Sequence, residues 1–176
     1  MNASTRYTAR IAAIVALGGF LMGFDASVIS GVVGFIEIEF ALDSIELGWA
    51  VSSLALASTG AMLAAGPLSD RFGRRPLLAA AASLYLLSAL ASALAPSFTW
   101  LVVARMVGGL GVGTALIIAP MYIAELSAPS VRGRLVSINQ LNIVIGISVA
   151  FFTNYLILTL GKDGGMVAET LQLADW

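Results

Sequence analysis

The chain has 176 residues, of which 59% are hydrophobic and 11% are charged, and its formal net charge is −1. Soluble domains carry roughly 25% charged residues, so this composition excludes an ordinary soluble protein and predicts a membrane protein. The sequence contains no cysteine and no histidine. Without these two residue types, we predict no metal site and no cofactor. Because the sequence also lacks a basic tract, we predict no nucleic-acid partner.

Five apolar segments are long enough to cross a bilayer, which takes about 20 residues. Because the bilayer interior offers no water to the backbone, each segment is predicted to be a helix. Residues 1–10 are predicted to precede the membrane domain at 11–161, and residues 162–176 to form an outer loop before a missing sixth helix. Pro96 and Pro120 are interpreted as helix breaks. The five predicted segments are 11–36, 47–69, 76–96, 99–124 and 135–161.

Basic residues occur on alternate sides of the five segments, which predicts the orientation of the chain. By the positive-inside rule, the side that carries them is the cytoplasm, so the amino terminus is predicted to be cytoplasmic. The predicted location is a cell membrane, either a plasma membrane or a bacterial inner membrane. The basic residues that define this side are Arg6, Arg10, Arg71, Arg74, Arg75, Arg132 and Arg134.

Two charged side chains lie inside the apolar segments, Asp25 in the first and Arg105 in the fourth. A charge at bilayer depth costs at least ~2.5 to 3.5 kcal/mol and usually marks a substrate or ion path. Helix rise places Asp25 about 16 Å and Arg105 about 9 Å below the same edge, within reach of a long arginine. Two interpretations stay open: an ion pair that fixes helix packing, or a site where protonation of Asp25 releases Arg105 and shifts a conformational equilibrium.

A glycine-rich basic stretch joins the second and third segments, and a glycine cluster lies in the fourth. Gly66 and Gly73 are expected to allow a tight turn, and Asp70 is expected to cap the next helix and pair with an arginine. The alternative is a solvated basic loop. In the fourth segment, Gly109 and Gly113 fit close helix packing better than a dinucleotide loop, because no strand precedes them.

Several of these stretches resemble the sugar porter subfamily of the major facilitator superfamily, and the resemblance covers nearly the whole chain. It implies an all-α membrane protein with five transmembrane helices of an incomplete six-helix amino-terminal half. The resembling stretches are Gly66-Pro67-Leu68-Ser69-Asp70-Arg71-Phe72-Gly73-Arg74-Arg75, Arg105-Met106-Val107-Gly108-Gly109, Pro120-Met121-Tyr122-Ile123-Ala124-Glu125, Arg132-Gly133-Arg134 and the run from Gln140 to Ile147.

The resemblance also implies roles for residues. Proton-coupled sugar porters tend to carry an acid at the position of Asp25 and an arginine at that of Arg105. Gln140 matches a sugar-contacting position, where an amide can both donate and accept hydrogen bonds. Met22 and Phe24 match positions that line the sugar pocket, although relatives often have Phe rather than Met at the first. The implied cytoplasmic gate comprises Gly66, Asp70, Arg71, Gly73, Arg74, Arg75, Glu125, Arg132, Gly133 and Arg134.

The implied function is proton symport of a sugar (a hexose, pentose or polyol) by alternating access across the lipid bilayer. This mechanism requires a second transporter half. The alternative is a membrane protein without transport activity of its own, such as a remnant, a sensor or a partner subunit. An enzyme is not expected, because no nucleophile, metal cluster or activated base is visible.

Overall fold

The computed structural model describes the backbone of residues 3–163 and the side chains of residues 17–159. Each helix in this range contains a stretch long and apolar enough to cross a membrane, which confirms the five predicted spans. Residues 162 and 163 of the predicted outer loop belong to the last helix, and the rest of that loop lies outside the described residues. Residues 3–10 belong to the first helix rather than to a separate segment. The helices are α1 (Ala3–Phe40), α2 (Ser44–Phe72), α3 (Arg74–Ala93), α4 (Phe98–Leu126) and α5 (Arg132–Asp163).

Polar residues in the short loops define where the helices begin. Asp43 precedes α2 and forms a capping box with Glu46, whose side chain accepts from the Asp43 amide at 3.1 Å. Ser97 precedes α4 and accepts from the amide of Trp100. Such caps satisfy amides that have no partner within the helix. The connections at 41–43 and 94–97 are short. Because so few residues join them, consecutive helices run antiparallel.

Helix α4 is the centre of the bundle, because its glycines let neighbours approach on two sides. A methyl group at Gly109 or Gly113 would collide with the backbone of α2 at Leu54 or Ser58. A methyl group at Gly111 would lie 2.7 Å from the carbonyl oxygen of Ala81 in α3. Small residues permit this close approach of the helix backbones. Because lipid tails are as apolar as the helix surfaces, the hydrophobic effect does not drive helices together in the membrane, and van der Waals contact does so instead. The predicted packing role of the α4 glycines is confirmed.

A second close crossing joins α1 to α5. A methyl group at Gly23 would collide with the carbonyl of Ile143, and one at Gly146 would collide with the carbonyl of Phe20. Further out, the amide of Asn154 donates to the carbonyl of Val28 at 3.3 Å. The bundle thus consists of α2 and α3 on α4, and α5 on α1, with α1 and α4 in contact between them.

Three local expectations differ from the structure. Gly66 lies inside α2 rather than in the turn, because α2 continues past Pro67 to Phe72. Pro120 likewise lies inside α4, which continues to Leu126, so it does not end the helix. Asp70 does not cap α3, since the residue at that cap is Gly73 and it makes no side-chain bond. Asp70 binds Arg74 instead.

Candidate functional site

Asp25 of α1, Arg105 of α4 and Tyr85 of α3 are neighbours among the membrane-spanning helices. Arg105 is buried, with 7% of its surface exposed, and Asp25 is half-buried. The three side chains are close enough to interact electrostatically. No direct ion pair joins Asp25 to Arg105 in the part of the chain that the structure describes, and Nε of Arg105 has no hydrogen-bond partner there. The acid and the base therefore form a coupled site rather than a closed salt bridge.

Two contacts hold these residues in place. The Tyr85 hydroxyl donates to the carbonyl oxygen of Leu21 at 2.9 Å and so connects α3 to α1. One turn beyond Arg105, Gly108 lies against the side chain of buried Ser88, so α3 approaches α4 closely at this level. The glycines that permit helix packing thus also determine the position of the buried arginine.

At the opposite end of α4, Arg74 connects the ends of three helices. Its guanidinium donates to Asp70 at 3.0 Å and to the carbonyl of Ser69 at 3.0 Å, both in the last turn of α2. It also contacts Glu125 of α4, with Nη2 3.0 Å from the carboxylate oxygen. We call Asp70, Arg74 and Glu125 the Arg74 cluster. At this helix end the Ser69 carbonyl accepts two hydrogen bonds, one from Arg74 and one from the Gly73 amide.

Gly73 makes the geometry of this cluster possible. Its backbone has φ of +87° and ψ of 158°, a conformation that is essentially restricted to glycine. Its amide still donates to Ser69, so α2 ends in an ordered turn and α3 begins at the next residue. The chain changes direction at Gly73, the single residue between the end of α2 and the start of α3. This turn places Arg74 directly beside Asp70.

The other predicted gate residues differ in their surroundings. Nε of Arg75 donates to the Tyr122 hydroxyl at 2.7 Å, which adds a further contact between α3 and α4. The guanidinium of Arg71 lies over the ring of Phe72, 5.4 Å from its centre. The residues at the start of α5 are exposed and, within residues 17–159, form no ion pair with the Arg74 cluster; they are Arg132, Gly133 and Arg134.

A mainly apolar cavity of about 350 Å³ lies between α1, α3, α4 and α5. Its polar lining includes Tyr85 and Asn139, and Asn139 is buried. Met22 lines this cavity, whereas Gln140 and Phe24 do not. Gln140 is exposed, and Phe24 stacks on Phe20 with ring centres 6.3 Å apart. The structure therefore does not bring the three predicted sugar contacts into one pocket within the described residues.

Sequence reasoning missed two tyrosines. Tyr85 was not singled out, although it places a phenol in the middle of an otherwise apolar helix. A phenol there needs a hydrogen-bond partner, and that requirement is the signal that could have identified it. Tyr122 lies in a stretch that carried the resemblance but received no role. Its partner, Arg75, is 47 residues away, so only the fold brings the two together.

The long apolar helices, packed through glycines around a buried acid and base, define a multi-pass helical membrane protein. A family model described as "Sugar (and other) transporter" matches residues 11–171. The chain belongs to this family of the major facilitator superfamily. The name of the family is that of transporters rather than enzymes.

Curated relatives and solved structures agree with this membership. The chain is 43% identical to a glucose transport protein of Synechocystis over 176 residues, which is 99% of this chain and 37% of the relative. It is 39% identical to an arabinose-proton symporter of Bacillus subtilis, over 86% of this chain and 32% of the relative. The solved proton:xylose symporter XylE superposes with a TM-score of 0.80 at 34% identity, over 88% of this chain and 38% of that one.

The chain thus spans about a third of the length of the curated relatives it matches. Those relatives are named for transport of sugars, and one for symport with protons. The described helices correspond to roughly the amino-terminal half of the superfamily fold, as the resemblance implied. The activity of a whole transporter is therefore a matter of proposal for this chain.

Proposed function

We propose that this chain is the amino-terminal part of a secondary active sugar transporter, in which proton movement through Asp25 and Arg105 drives sugar uptake by alternating access. The observation that carries the proposal is a pair of neighbouring opposite charges on apolar helices, the half-buried Asp25 and the buried Arg105. No direct ion pair joins the two within the described residues. A pair that served packing alone would gain most from direct contact, because desolvation of the charges otherwise goes unrepaid.

The mechanism follows from what protonation does to this site. Ionised Asp25 attracts Arg105 and favours the arrangement of α1 against α4 that holds them together. Protonation removes the attraction, so the equilibrium shifts toward an arrangement in which the two helices separate at this level. A proton entering from one side thereby changes which side of the transporter is open.

The proposed substrate is a monosaccharide, either a hexose or a pentose. Relatives named for glucose, D-xylose and arabinose support this class. Gln140 is exposed on α5 and offers an amide that can bind sugar hydroxyls. Phe24 would contribute an apolar ring face to the sugar site. Met22, which lines the cavity, would influence the shape of that site.

The Arg74 cluster is proposed as a conformational gate on the cytoplasmic side of a cell membrane. Arg71, Arg75, Arg132 and Arg134 are proposed as further gate residues outside this cluster, and the cytoplasmic location follows from the positive-inside rule. In this proposal the amino terminus is also cytoplasmic. The gate binds no substrate; its contacts form in one orientation of the transporter and break in the other.

Asp25→Asn in the complete transporter that contains this chain tests proton coupling. Uphill accumulation of sugar should be lost while exchange of internal for external sugar continues, because exchange does not require net proton movement. Asp43→Asn is the matched control, since Asn caps a helix as well as Asp does and residue 43 lies in a loop. Undiminished accumulation in Asp25→Asn would exclude the proposed role.

An alternative function is that of a membrane protein that does not transport by itself. If these residues act without a second half, the product would be a sensor or partner subunit without transport activity of its own, since alternating access needs two bodies. The reading frame past Trp176 and uptake by the 176-residue chain alone distinguish the two. Uptake by the short chain by itself would contradict the need for a second half.

A further inference from the structure

We propose that Tyr85 is a positioning residue of the Asp25–Arg105 site: its hydroxyl fixes the turn of α1 that carries Asp25 and thereby sets the separation of the acid from the arginine. The proposal rests on the proton coupling proposed above. The motifs that carry the resemblance do not include this position. Tyr85 contacts the helix that carries the acid, so it acts through that helix rather than on a substrate.

The first step of the argument is the atom that Tyr85 binds. Its hydroxyl donates to the carbonyl oxygen of Leu21 at 2.9 Å. In an α-helix the carbonyl of residue 21 also accepts the amide of residue 25, and both residues lie within α1. Tyr85 therefore occupies the second lone pair of the carbonyl that holds Asp25 in its helical turn.

The second step is how Tyr85 reaches that atom. Gly111 lets α3 approach α4 so closely that an added methyl group would lie 3.3 Å from the Tyr85 amide. The backbone of Tyr85 is thus held on α4, the helix that carries Arg105. Its side chain extends past the cavity to α1, and Tyr85 is part of the cavity lining. One residue thereby connects the helix of the acid to the helix of the arginine.

The third step is the surroundings of Asp25. Arg105 is buried on α4, and Tyr85 of α3 binds the turn of α1 that precedes Asp25. Between residues 135 and 159, α5 contains one titratable residue, Tyr155, which is exposed. Between residues 47 and 69, α2 contains none. Compared with the titratable groups of these two ranges, Tyr85 of α3 is the group best placed to adjust how Asp25 and Arg105 interact.

Tyr85→Phe in the complete transporter tests the proposal, because it removes the hydroxyl and keeps the ring. Tyr155→Phe is the matched control. Three quantities are measured: sugar exchange, the pH profile of uphill accumulation, and the distance between spin labels at Leu17 in α1 and Leu86 in α3. Both labelled positions are exposed, and these 176 residues contain no cysteine, so within them labels attach only where cysteines are introduced; any cysteine elsewhere in the complete transporter is replaced by serine first.

We expect Tyr85→Phe to retain exchange, to shift the pH profile of accumulation, and to lengthen or broaden the α1–α3 distance distribution. Accumulation at the wild-type optimum should fall about fivefold, the equilibrium change that corresponds to one hydrogen bond. Tyr155→Phe should leave all three quantities unchanged. A merely structural tether would lower exchange and accumulation together without moving the pH profile, and that result would overturn the positioning role.

An unchanged distance distribution in Tyr85→Phe would also overturn the proposal, whatever happens to transport. Failure of the proposed function has a different signature, namely uphill accumulation that survives Asp25→Asn. In that case the spin-label distances still decide whether Tyr85 fixes α1. The two proposals can therefore fail separately.

Discussion

Nη2 of Arg74 lies 3.0 Å from the carboxylate of Glu125, so the first residue of α3 is joined to the last turn of α4. The two residues are 51 positions apart in the sequence. Arg74 also binds Asp70 in α2, so a single guanidinium connects three helix ends. The cluster is well suited to a role in conformational change, because breaking it frees all three ends together.

Glu125→Gln should alter transport far more than stability. Loss of the charge weakens the contact with Arg74, whereas partly exposed ion pairs contribute little to folding. We expect the maximal uptake rate of the complete transporter to fall severalfold with little change in thermal unfolding in detergent. Glu37→Gln, on an exposed side chain of α1, is the control and should behave as wild type. A large drop in the melting temperature of Glu125→Gln would indicate a structural role instead.

Gly113→Ala should separate α2 from α4. The added methyl group would collide with the carbonyl of Ser58, and overpacking of this kind costs about 1 to 3 kcal/mol. Gly60→Ala in α2 is the matched control, since nothing lies within 4 Å of the added carbon. Thermal unfolding of both variants in detergent measures the difference. Equal stability of the two variants would contradict the close crossing at Ser58.

Gly73→Ala should destabilise the turn between α2 and α3. Forcing alanine into φ of +87° costs about 1 to 3 kcal/mol, and relief of the strain would displace Arg74 from Asp70. Gly133→Ala is the comparison, because Gly133 is helical with open space around it. Alanine there should leave stability unchanged or raise it by up to about 1 kcal/mol. The expected outcome is an unfolding midpoint below that of wild type for Gly73→Ala, and one equal to or above that of wild type for Gly133→Ala.

Cysteines introduced at exposed positions near helix ends should report the orientation of the chain. Ser130→Cys lies between α4 and α5, on the side that carries the basic residues, and should resist an impermeant thiol reagent in intact cells. Thr99→Cys, near the start of α4, should react under the same conditions. Both should react once the membrane is opened. The reverse pattern in intact cells would show that the amino terminus is not cytoplasmic.

Much of the fold could be predicted because its determinants are local. Length and hydropathy identified the five spans, although α1, α2, α4 and α5 extend further than the apolar segments, because a helix continues into the polar residues that flank an apolar stretch. The buried charges were equally visible, since Asp25 and Arg105 stand out in any apolar stretch. The sequence could not show which of Arg71, Arg74 and Arg75 is the partner of Asp70, and the structure shows that it is Arg74.

The sequence by itself determined the class of protein, the number of spans and the identity of the two buried charges, because the cost of placing a charge in hydrocarbon is a property of the residue. Only the tertiary structure decided which faces of the helices meet. It buries Asn139 and exposes its neighbour Gln140, and it brings Tyr85 to Leu21. Lipid tails are as apolar as a packed helix face, so hydropathy does not distinguish a lipid-facing residue from one packed against another helix. That choice is made by backbone approach at glycines such as Gly23, Gly111 and Gly146, and it depends on all the helices together.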